Sequence, residues 1–403
     1  MLAFYFLAAI VIWLGILSLR GGLRFDAYAR SETSKPLADF TPYVSVFAPC
    51  RGLEEGLEEN INALFRQDYR SYEIIFVSDC ADDPALGLIR KLISDQVHTN
   101  RVSTKIIIAG AATDSGQKVH NLRAAVPESD PRSEAFVFVD TDARPPSHWL
   151  RALVAPLADE KIGAASGYRW FIPVDGSLAS HLRSVWNASI ASALGAGRDK
   201  NFCWGGSTAI RRSTFEKLRI TERWRGTVSD DFTLTRALHE AQLPVHFVPA
   251  CLVPALDSCT MSELFEFTNR QLKITRVYAP HLWKPVLIGS LLFCLVFFGG
   301  VLLVVARAMQ QSSIAIPLLL LLIIYFLGTL KAHIRMKAIV LLLPNYGREL
   351  RRGWIFHLVL WPLTSALYLW NAVVAAASRR IKWRGITYEL KSATEAVIIA
   401  REQ

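Results

Sequence analysis

The sequence predicts an α/β domain built on a doubly wound, mostly parallel sheet, with apolar segments before and after it that are long enough to enter a membrane. Apolar strand-like runs alternate with amphipathic helical segments between residues 43 and 280, and this alternation is typical of a parallel sheet covered by helices. Acidic residues follow two of the strand-like runs. Long apolar stretches occur towards both ends of the chain, so the sequence also predicts membrane helices there.

Composition and charge narrow the class of protein. The chain has 403 residues, of which 52% are hydrophobic, and 45 Lys and Arg against 35 Asp and Glu give a formal net charge of +10. Positive charge beside long apolar runs favours an anionic membrane surface, and no stripe of basic and aromatic residues indicates nucleic-acid binding. The six cysteines form no CxxC pair and no zinc spacing, so we expect a reducing compartment and no cysteine-bound metal.

An uncharged apolar run, residues 2–18, opens the chain and is followed by Arg20, Arg24 and Arg30. The run is near the lower length limit of a spanning helix. A signal peptide is the alternative, but no basic segment precedes the run and no convincing cleavage site follows it. We therefore predict a transmembrane anchor over residues 1–20, with the amino terminus outside and the following residues in the cytoplasm.

The predicted globular region, residues 43–280, follows a polar linker at residues 21–42. Its first part contains buried-type strands separated by amphipathic helices, and its later part stays mixed. The predicted strands are 43–49, 72–79, 104–110, 135–140, 162–173 and 243–250, and the predicted helices are 57–67, 83–94, 117–126, 176–197, 229–241 and 262–278, with a further loop, strand and helix within 202–218.

A second membrane region is predicted after the globular region. Its apolar runs are 285–306, 314–330 and 354–377. The first two are good spanning candidates. The third carries Pro362 near its middle and basic residues on both flanks, so the positive-inside rule cannot choose its orientation and it could be re-entrant or interfacial. Residues 378–403 form a basic tail.

The stretch from residue 135 to residue 150 carries the main chemical signal. Its apolar run ends at Asp140 and Asp142, and two prolines shortly afterwards prevent the strand from continuing. Carboxylates at this position face the edge where α/β sheets bind ligands, and residues two apart in an extended segment point the same way. The pair could hold Mg²⁺ or Mn²⁺ against substrate phosphates. The alternative is an ordinary polar strand end, with Asp140 capping a turn.

Further acidic residues stand at the ends of predicted elements. Asp79 ends the second strand, where a carboxylate could accept a hydrogen bond from a nucleotide base or ribose. Asp230 and Asp231 open a predicted helix, and a carboxylate there could act as a general base toward an acceptor hydroxyl. Ser229 precedes them, so helix capping and interaction with the helix dipole are the alternative.

Several other candidates have weaker claims. Trp204 precedes two glycines and could stack on a sugar or a lipid, or be a core aromatic residue. We expect His120 and His148 to be structural, since single histidines more often satisfy local hydrogen bonds than bind ligands. Arg51 follows the first strand and is expected to be a solvated turn residue.

Seven segments, in order along the chain, resemble motifs of membrane-bound family 2 glycosyltransferases, in particular the ceramide glucosyltransferase-like branch with its bacterial and hopanoid-associated relatives. The segments are VSDCADDPALGLIRKL, SGQKVHNLRAAV, VDTDARP, WGGSTAIRRSTFEKL, VSDDFTLTRALHEA, RQLKITR and IKWRGITYEL. The resemblance implies a GT-A fold, inversion of configuration at the transferred sugar, a UDP-sugar donor and a divalent cation, Mg²⁺ or Mn²⁺.

The resemblance also implies roles for individual residues. Asp231 corresponds to the family's base. The segment RQLKITR aligns with a (Gln/Arg)xxArgTrp motif, but Lys273 and Ile274 stand where the family has Arg and Trp, so the bidentate guanidinium and the aromatic platform are lost. The candidate metal ligands are Asp140 and Asp142, and the candidate donor-binding residues are Asp79, Lys118, Asp140, Arg270, Lys273 and Arg276.

The apolar segments point to the acceptor. A cytoplasmic catalytic domain with membrane segments at both ends favours a hydroxyl presented by a membrane lipid, such as a ceramide-like lipid, a hopanoid or diacylglycerol. We therefore expect an integral membrane protein, in the inner or cell membrane if bacterial. The alternatives are a processive polysaccharide synthase, a catalytically silent scaffold or lipid-binding relative, and a transporter; the last would need ionisable residues inside its spans.

Overall fold

The computed structural model of the protein describes residues 1–96 and 101–402. The chain divides into two compact units, each assembled from separate parts of the sequence. The sheet unit consists of residues 31–171, 194–257 and 380–403, and the helical unit consists of residues 1–30, 172–193 and 258–379.

A central sheet organises the sheet unit. Its strands are β1 Val44–Pro49, β2 Tyr72–Ser78, β3 Val102–Ile108, β4 Ala135–Val139, β5 Ala164–Ile172, β6 Ser207–Arg211 and β7 Val245–Leu256. They lie in the order β3-β2-β1-β4-β6-β5-β7. β1 pairs in parallel with β2 and β4, and β2 pairs in parallel with β3, whereas β6 is antiparallel to β4 and β5. The carboxyl ends of β1, β2 and β4 therefore meet at one edge, as the alternating pattern predicted.

Helices cover this sheet and form the whole of the helical unit. In chain order they are α1 Leu2–Ser34, α2 Leu57–Phe65, α3 Pro84–Asp95, α4 Gln117–Ala125, α5 Trp149–Val154, α6 Leu178–Ala191, α7 Arg212–Lys217, α8 Ile220–Arg223, α9 Asp230–Glu240, α10 Met261–Tyr278, α11 Pro280–Met309, α12 Ala315–Leu342, α13 Gly347–Val359 and α14 Trp361–Ala377. The mostly parallel α/β fold with apolar helices towards both ends is the predicted class.

Aromatic side chains fill the core of the sheet unit. Phe47 of β1 stacks on Phe138 of β4, with ring centroids 5.4 Å apart. Phe138 in turn meets the edge of Trp224 at 5.6 Å, and Phe215 packs against Trp224 at 5.4 Å. Pairs of this kind contribute about 1 kcal/mol each beyond their buried area. They fix the strands whose ends carry the polar residues described below.

Capping residues fix the starts of two helices. Asp83 accepts a hydrogen bond from the backbone N–H of Ala85 at 2.9 Å, and Pro84 occupies the first turn of α3. Ser229 accepts from the backbone N–H of Phe232 at 3.2 Å at the start of α9. Both arrangements satisfy N–H groups that a helix terminus leaves without intrahelical partners. The capping role considered for the segment at Ser229 is therefore observed.

The helical unit contains the candidate membrane spans. Among the described residues, α1, α11 and α12 are long and apolar enough to cross a membrane. Helices α13 and α14 meet at a bend of 70° and would add a fourth span if the bent pair counts as one. Pro362 lies in the first turn of α14, where its missing N–H is tolerated, so the break falls just before it. The predicted run 354–377 is thus interrupted rather than continuous.

Two segments have more regular structure than expected. Residues 21–34, placed in a linker by sequence, continue α1 as far as Ser34. The Arg30 guanidinium lies 2.9 Å from Asp26, an (i, i+4) pair that supports this extension.

The segment predicted as a basic tail forms a second sheet within the sheet unit. Its strands are β8 Arg380–Trp383, β9 Ile386–Ser392 and β10 Glu395–Arg401, paired antiparallel in the order β10-β9-β8. In β9 every second residue from Ile386 to Leu390 is buried, which is the period of a strand with one covered face.

Candidate active site

Three loops meet at the carboxyl edge of the sheet, after β1, β2 and β4. Arg51 follows β1 and Asp79 follows β2, and the Arg51 Nη1 atom lies 3.3 Å from Asp79 Oδ2. Asp83 joins the two loops, since it accepts hydrogen bonds from the N–H of Gly52 at 2.9 Å and from the Ser78 hydroxyl at 2.8 Å. Arg51, expected to be solvated, is instead half-buried and paired with the predicted nucleotide-binding carboxylate.

Lys118 lies at the centre of the acidic residues. It is the second residue of α4, and its Nζ lies 2.6 Å from Asp140 Oδ1, 3.5 Å from Asp230 Oδ2 and 3.4 Å from the Gly205 carbonyl oxygen. Burial opposes the charge of Lys118, but Asp140 and Asp230 outweigh it and raise its pKa. Lys118 thus donates two hydrogen bonds, to Asp140 and to the Gly205 carbonyl, and forms a longer ion pair with Asp230. Lys118 joins the loops after β4, before β6 and at the start of α9.

The two aspartates have opposite pKa shifts. Burial would raise the pKa of Asp140, but Lys118 and Arg169 outweigh burial and lower it. Burial raises the pKa of Asp230 to about 7, and the neighbouring Asp231 and Asp140 add to the rise, whereas Lys118 opposes it. Asp140 is therefore held as the anion, while Asp230 is the carboxyl group that takes up a proton more readily.

The two carboxylate oxygens of Asp142 have different surroundings. Its Oδ2 lies 3.4 Å from Nη1 of Arg169, a residue of β5. Its Oδ1 is buried and has no hydrogen-bond partner among the described residues. A buried carboxylate oxygen without a partner is unfavourable unless a cation or a donor occupies the site. Asp140 and Asp142 therefore fit a hard divalent cation, which is commonly held by one or two carboxylates together with substrate phosphates.

Gly205 and Gly206 allow the site to close around these groups. A Cβ atom on Gly205 would lie 2.8 Å from Lys118 Nζ and closer still to the Asp230 carboxylate, and one on Gly206 would lie 2.7 Å from Asp140 Oδ2. Side chains cannot be accommodated at such distances. The Gly-Gly pair is therefore required for the close approach of the loop before β6 to the acidic residues.

Asp231, the predicted base, lies beside this cluster. Its Oδ1 accepts hydrogen bonds from the Ser229 hydroxyl and from the N–H of Phe232, the latter at 2.7 Å. Its Oδ2 lies 3.5 Å from the N–H of Gly205. Asp231 is half-buried, whereas the Asp230 side chain is only 7% exposed. A substrate hydroxyl can therefore reach Asp231 more readily than Asp230.

The second sheet contributes a further ion pair to the edge. Arg384 Nη1 donates to the Arg51 carbonyl oxygen at 3.0 Å, and Arg384 Nη2 lies 2.5 Å from Glu54 Oε1. Burial raises the pKa of Glu54 to about 7; Arg384 opposes the rise, and Asp142 and Asp140 add to it. Glu54 and Arg384 therefore belong to the same charged cluster as the aspartate pair.

The remaining predicted donor-binding residues lie on α10 in the helical unit. Arg270 lies 3.9 Å from Glu266 on the same helix. Arg276 donates to the carbonyl oxygen of Ala375, and burial lowers the pKa of Lys273. The structure brings Asp79, Lys118, Asp140, Asp142 and Asp231 together in the sheet unit, whereas the contacts described for Arg270 and Arg276 are made within the helical unit.

The weaker candidates have structural surroundings. Trp204 is 6% exposed, and its ring lies 5.5 Å from that of Tyr168 and 5.4 Å from the guanidinium of Arg169. The His120 ring contacts the Ala109 carbonyl oxygen at 3.0 Å, and the His148 ring contacts that of Ala250 at 3.2 Å. These contacts agree with the structural role expected for both histidines and favour the core alternative for Trp204.

Sequence reasoning gave no role to Arg169, Glu54 or Arg384. A signal existed for Arg169, because it is a single cation in the otherwise apolar run Ala164–Ile172. For Arg384 the signal was its place in the IKWRGITYEL motif, to which no chemistry had been attached. Glu54 lies in a run of glutamates without a distinguishing pattern, so only the folded chain identifies it.

Sequence comparisons give one matching family and, among the curated proteins, two similar ceramide glucosyltransferases. The family model for Glycosyl transferase family 21 matches residues 3–396. Ceramide glucosyltransferase 1 of Caenorhabditis elegans is 24% identical over 257 residues, which are 60% of this chain and 51% of the relative. Ceramide glucosyltransferase 3 of the same organism is 21% identical over 254 residues, with coverages of 60% and 52%. The chain thus spans about half the length of the curated relatives it matches.

Solved structures with similar folds are also glycosyltransferases. The mannosyltransferase PcManGT from Pyrobaculum calidifontis, in complex with GDP-Man and Mn²⁺, superposes with a TM-score of 0.49 at 18% identity, over 91% of this chain and 98% of its own. Glucosyl-3-phosphoglycerate synthase from Mycobacterium tuberculosis, in complex with Mn²⁺ and UDP-glucose, superposes with a TM-score of 0.38 at 15% identity, over 62% and 80%.

Proposed function

The chain belongs to glycosyltransferase family 21, and from this premise we propose that it moves a sugar from a UDP-sugar to a hydroxyl of a membrane lipid at the cytoplasmic face, with inversion at the sugar. Membership confirms the resemblance to membrane-bound glycosyltransferases of the ceramide glucosyltransferase-like branch, and the ceramide glucosyltransferase relatives agree with that branch. The matching family is family 21, whereas the motifs indicated family 2. The mostly parallel α/β sheet agrees with the GT-A fold that the resemblance implied.

The observation that carries the proposal is the aspartate pair after β4. Asp140 is held as an anion by Lys118, Asp142 is paired with Arg169 through one oxygen, and the other Asp142 oxygen is buried without a described partner. Asp140 and Asp142 would hold Mg²⁺ or Mn²⁺, which would neutralise charge on the diphosphate leaving group. The Lys118 ammonium already donates to Asp140 and to the Gly205 carbonyl and is paired with Asp230, so we propose that Lys118 acts on the donor by positioning Asp140.

Asp231 is the proposed base. Its Oδ1 is occupied by Ser229 and the N–H of Phe232, which fixes the orientation of the carboxylate. Its Oδ2 is then the atom that accepts the proton of the acceptor hydroxyl as that oxygen attacks the sugar. Asp79, paired with Arg51, is the proposed partner of the nucleotide base or ribose. Asp230 remains a buried partner of Lys118.

The lipid acceptor is proposed from the membrane segments. Within the described residues, three helices have the length and composition of membrane spans, so the chain is held at a bilayer, where lipid hydroxyls are concentrated. The curated relatives are named ceramide glucosyltransferases, which supports a lipid acceptor. We therefore propose ceramide-like lipids, hopanoids and diacylglycerol as candidate acceptors. For the donor, we propose Arg270, Lys273 and Arg276 of α10 as additional candidate binding residues.

The test is glycosyl transfer by the purified full chain in detergent–lipid micelles. Radiolabelled UDP-sugars are offered with ceramide, diacylglycerol and hopanoid acceptors, with Mn²⁺ or with EDTA. We expect labelled lipid to form only with the metal, and we expect Asp231→Asn to lower its rate of formation at least 100-fold. Asp199→Asn is the control, a change of the same kind at an exposed aspartate of the sheet unit, and should leave the rate unchanged.

Other outcomes separate the alternatives. A long polymer in place of labelled lipid would indicate a processive synthase, and metal-dependent release of UDP into water would indicate a different acceptor. If the protein neither binds UDP-sugars nor turns them over, it is a silent scaffold or lipid-binding relative, and the proposed function is wrong.

A further inference from the structure

A strained residue lies at the tip of the second sheet. Strands β8 and β9 are joined by Arg384 and Gly385, both of which have positive φ, 48° and 73°. Two-residue hairpin turns of this kind favour Asn, Asp or Gly at the first position, because an arginine side chain is disfavoured in the left-handed region. Strained backbone tends to persist where the side chain has a function. Arg384 is therefore an unusual residue at this turn position.

The Arg384 side chain extends to the edge that carries the aspartates. One Nη atom donates to the carbonyl oxygen of Arg51, and the other lies 2.5 Å from Glu54. Burial opposes the charge of Arg384, but Glu54, and then Asp142 and Asp140, outweigh burial and raise its pKa. The guanidinium therefore lies within electrostatic reach of the proposed metal ligands, next to the loop that pairs with Asp79.

Arg384 retains capacity to bind an anion. A guanidinium has five N–H donors in a planar fork, and two acceptors, the Arg51 carbonyl and Glu54, are described for Arg384. Its side chain is 37% exposed, so the remaining donors are accessible. Arg384 can thus form the paired hydrogen bonds that a phosphate or diphosphate accepts.

The hairpin is anchored to the same helix that carries Lys118. The hydroxyl of Tyr388 in β9 accepts from the N–H of Gln117 at 3.1 Å, at the start of α4. Arg401 of β10 donates to the Gln117 side-chain oxygen at 3.3 Å and to the Ala112 carbonyl at 2.5 Å. These contacts hold the second sheet, and with it the position of Arg384, against the loops of the site.

We propose that Arg384 binds the diphosphate of the sugar donor, and that Glu54 is its counter-ion when no donor is bound. This inference rests on the proposed function in that it takes the donor to be a nucleotide-diphosphate sugar. It would supply a guanidinium to the donor in a chain whose RQLKITR motif has Lys273 in place of arginine. On binding, the donor diphosphate would replace Glu54 as the charged partner of the Arg384 guanidinium.

The test measures binding to the purified full chain in detergent by calorimetry, with Mg²⁺ present and UDP, UMP and inorganic pyrophosphate as probes. Arg384→Asn places a residue favoured at this turn position, so the fold is retained. We expect it to weaken UDP and pyrophosphate binding at least 10-fold and UMP binding less than 3-fold. The matched control is Arg380→Asn on the same hairpin; its side chain is 66% exposed, and we expect all three affinities to be unchanged.

Glu54→Gln tests the counter-ion. It keeps an oxygen acceptor but removes the negative charge that competes for Arg384 beside the proposed diphosphate site, so we expect UDP to bind about 3-fold more tightly. An unchanged UDP affinity in Arg384→Asn, or an equal loss for UDP and UMP, would overturn the role of Arg384. Weaker UDP binding in Glu54→Gln would overturn the role of Glu54.

Pyrophosphate binding distinguishes a failure of the proposed role of Arg384 from a failure of the proposed sugar donor. If the unaltered chain binds pyrophosphate but neither prefers UDP nor transfers sugar from UDP-sugars, the proposed donor is wrong, and the pyrophosphate affinity of Arg384→Asn still decides the role of Arg384. If the unaltered chain binds neither UDP nor pyrophosphate, both proposals fail.

Discussion

Lys118 shows how one residue determines the charge state of the site. It is the only described cation within hydrogen-bonding distance of both Asp140 and Asp230, and it also reaches the Gly205 carbonyl oxygen. Without its charge, the buried Asp230 would lose its described ion pair, and Asp140 would keep only the more distant compensation that Arg169 and Arg384 provide. Removing one partner of a buried ion pair strongly lowers the stability of the fold, because the remaining charge stays buried.

We therefore expect Lys118→Met to destabilise the sheet unit by about 3 kcal/mol and to abolish metal-dependent nucleotide binding. Thermal unfolding followed by tryptophan fluorescence, and calorimetry with UDP, would measure the two effects. Adding Asp230→Asn should recover part of the lost stability, since it removes one of the unpaired charges. Lys161→Met, at an exposed lysine, is the control. A Lys118→Met protein of unaltered stability would contradict this account.

Gly205 is the second residue whose identity the site requires. A Cβ atom at this position would overlap the Asp230 carboxylate and approach Lys118 Nζ to 2.8 Å. We expect Gly205→Ala to cost about 1–3 kcal/mol through overpacking and to lower transfer activity at least 10-fold. Thermal unfolding and the transfer assay would show both changes. Gly87→Ala is the matched control, because nothing lies within 4 Å of its Cβ position on α3, and it should be neutral or stabilising.

At the scale of elements, sequence patterns predicted those parts of the chain that depend on local signals. The alternation of strands and helices from β1 to β4 and the aspartates at the end of β4 are found where the period and the prolines placed them. The break between α13 and α14 follows from Pro362, but the sequence does not predict its angle of 70°. The role of residues 380–401 could not be deduced, because it depends on contacts between residues far apart in sequence, such as Tyr388 with Gln117 and Arg384 with Glu54.

The attachment of the second sheet can be tested through Tyr388. Its hydroxyl is the acceptor for the N–H of Gln117, and Tyr388 is buried. We expect Tyr388→Phe to cost about 1–2 kcal/mol, because a buried N–H loses its partner, and to weaken UDP binding several-fold, because Arg384 is held less firmly. Tyr43→Phe, which removes a hydroxyl contact with Ser103 at the surface, should have neither effect. Equal UDP affinities in both variants would show that the hairpin does not contribute to the site.

At the scale of the whole molecule, charge is divided unequally between the two units. The helical unit contains 16 lysines and arginines against five aspartates and glutamates, whereas the sheet unit contains 29 against 30. The excess positive charge of the chain thus belongs to the unit with the candidate spans. Basic residues follow the apolar part of α1 and the apolar part of α12, while the short connection at residues 310–314 has none. By the positive-inside rule, this distribution supports the proposed orientation, with the connection outside and the sheet unit in the cytoplasm.

This orientation can be tested with the cysteines of the chain. Cys80 of the sheet unit is exposed, whereas Cys50, Cys203 and Cys251 are buried, and burial raises their thiol pKa values, to about 12 for Cys50 and Cys203. Cys259 is also buried, and Cys294 is half-buried within the candidate span α11. Cys80 should therefore be the cysteine outside the spans that reacts most readily with a maleimide. A membrane-impermeant maleimide should label inside-out vesicles but not intact cells, and Cys80→Ser should remove the labelling. In that variant Gln310→Cys should reverse the pattern. Labelling of Cys80 in intact cells would place the sheet unit outside and exclude a cytoplasmic sugar donor.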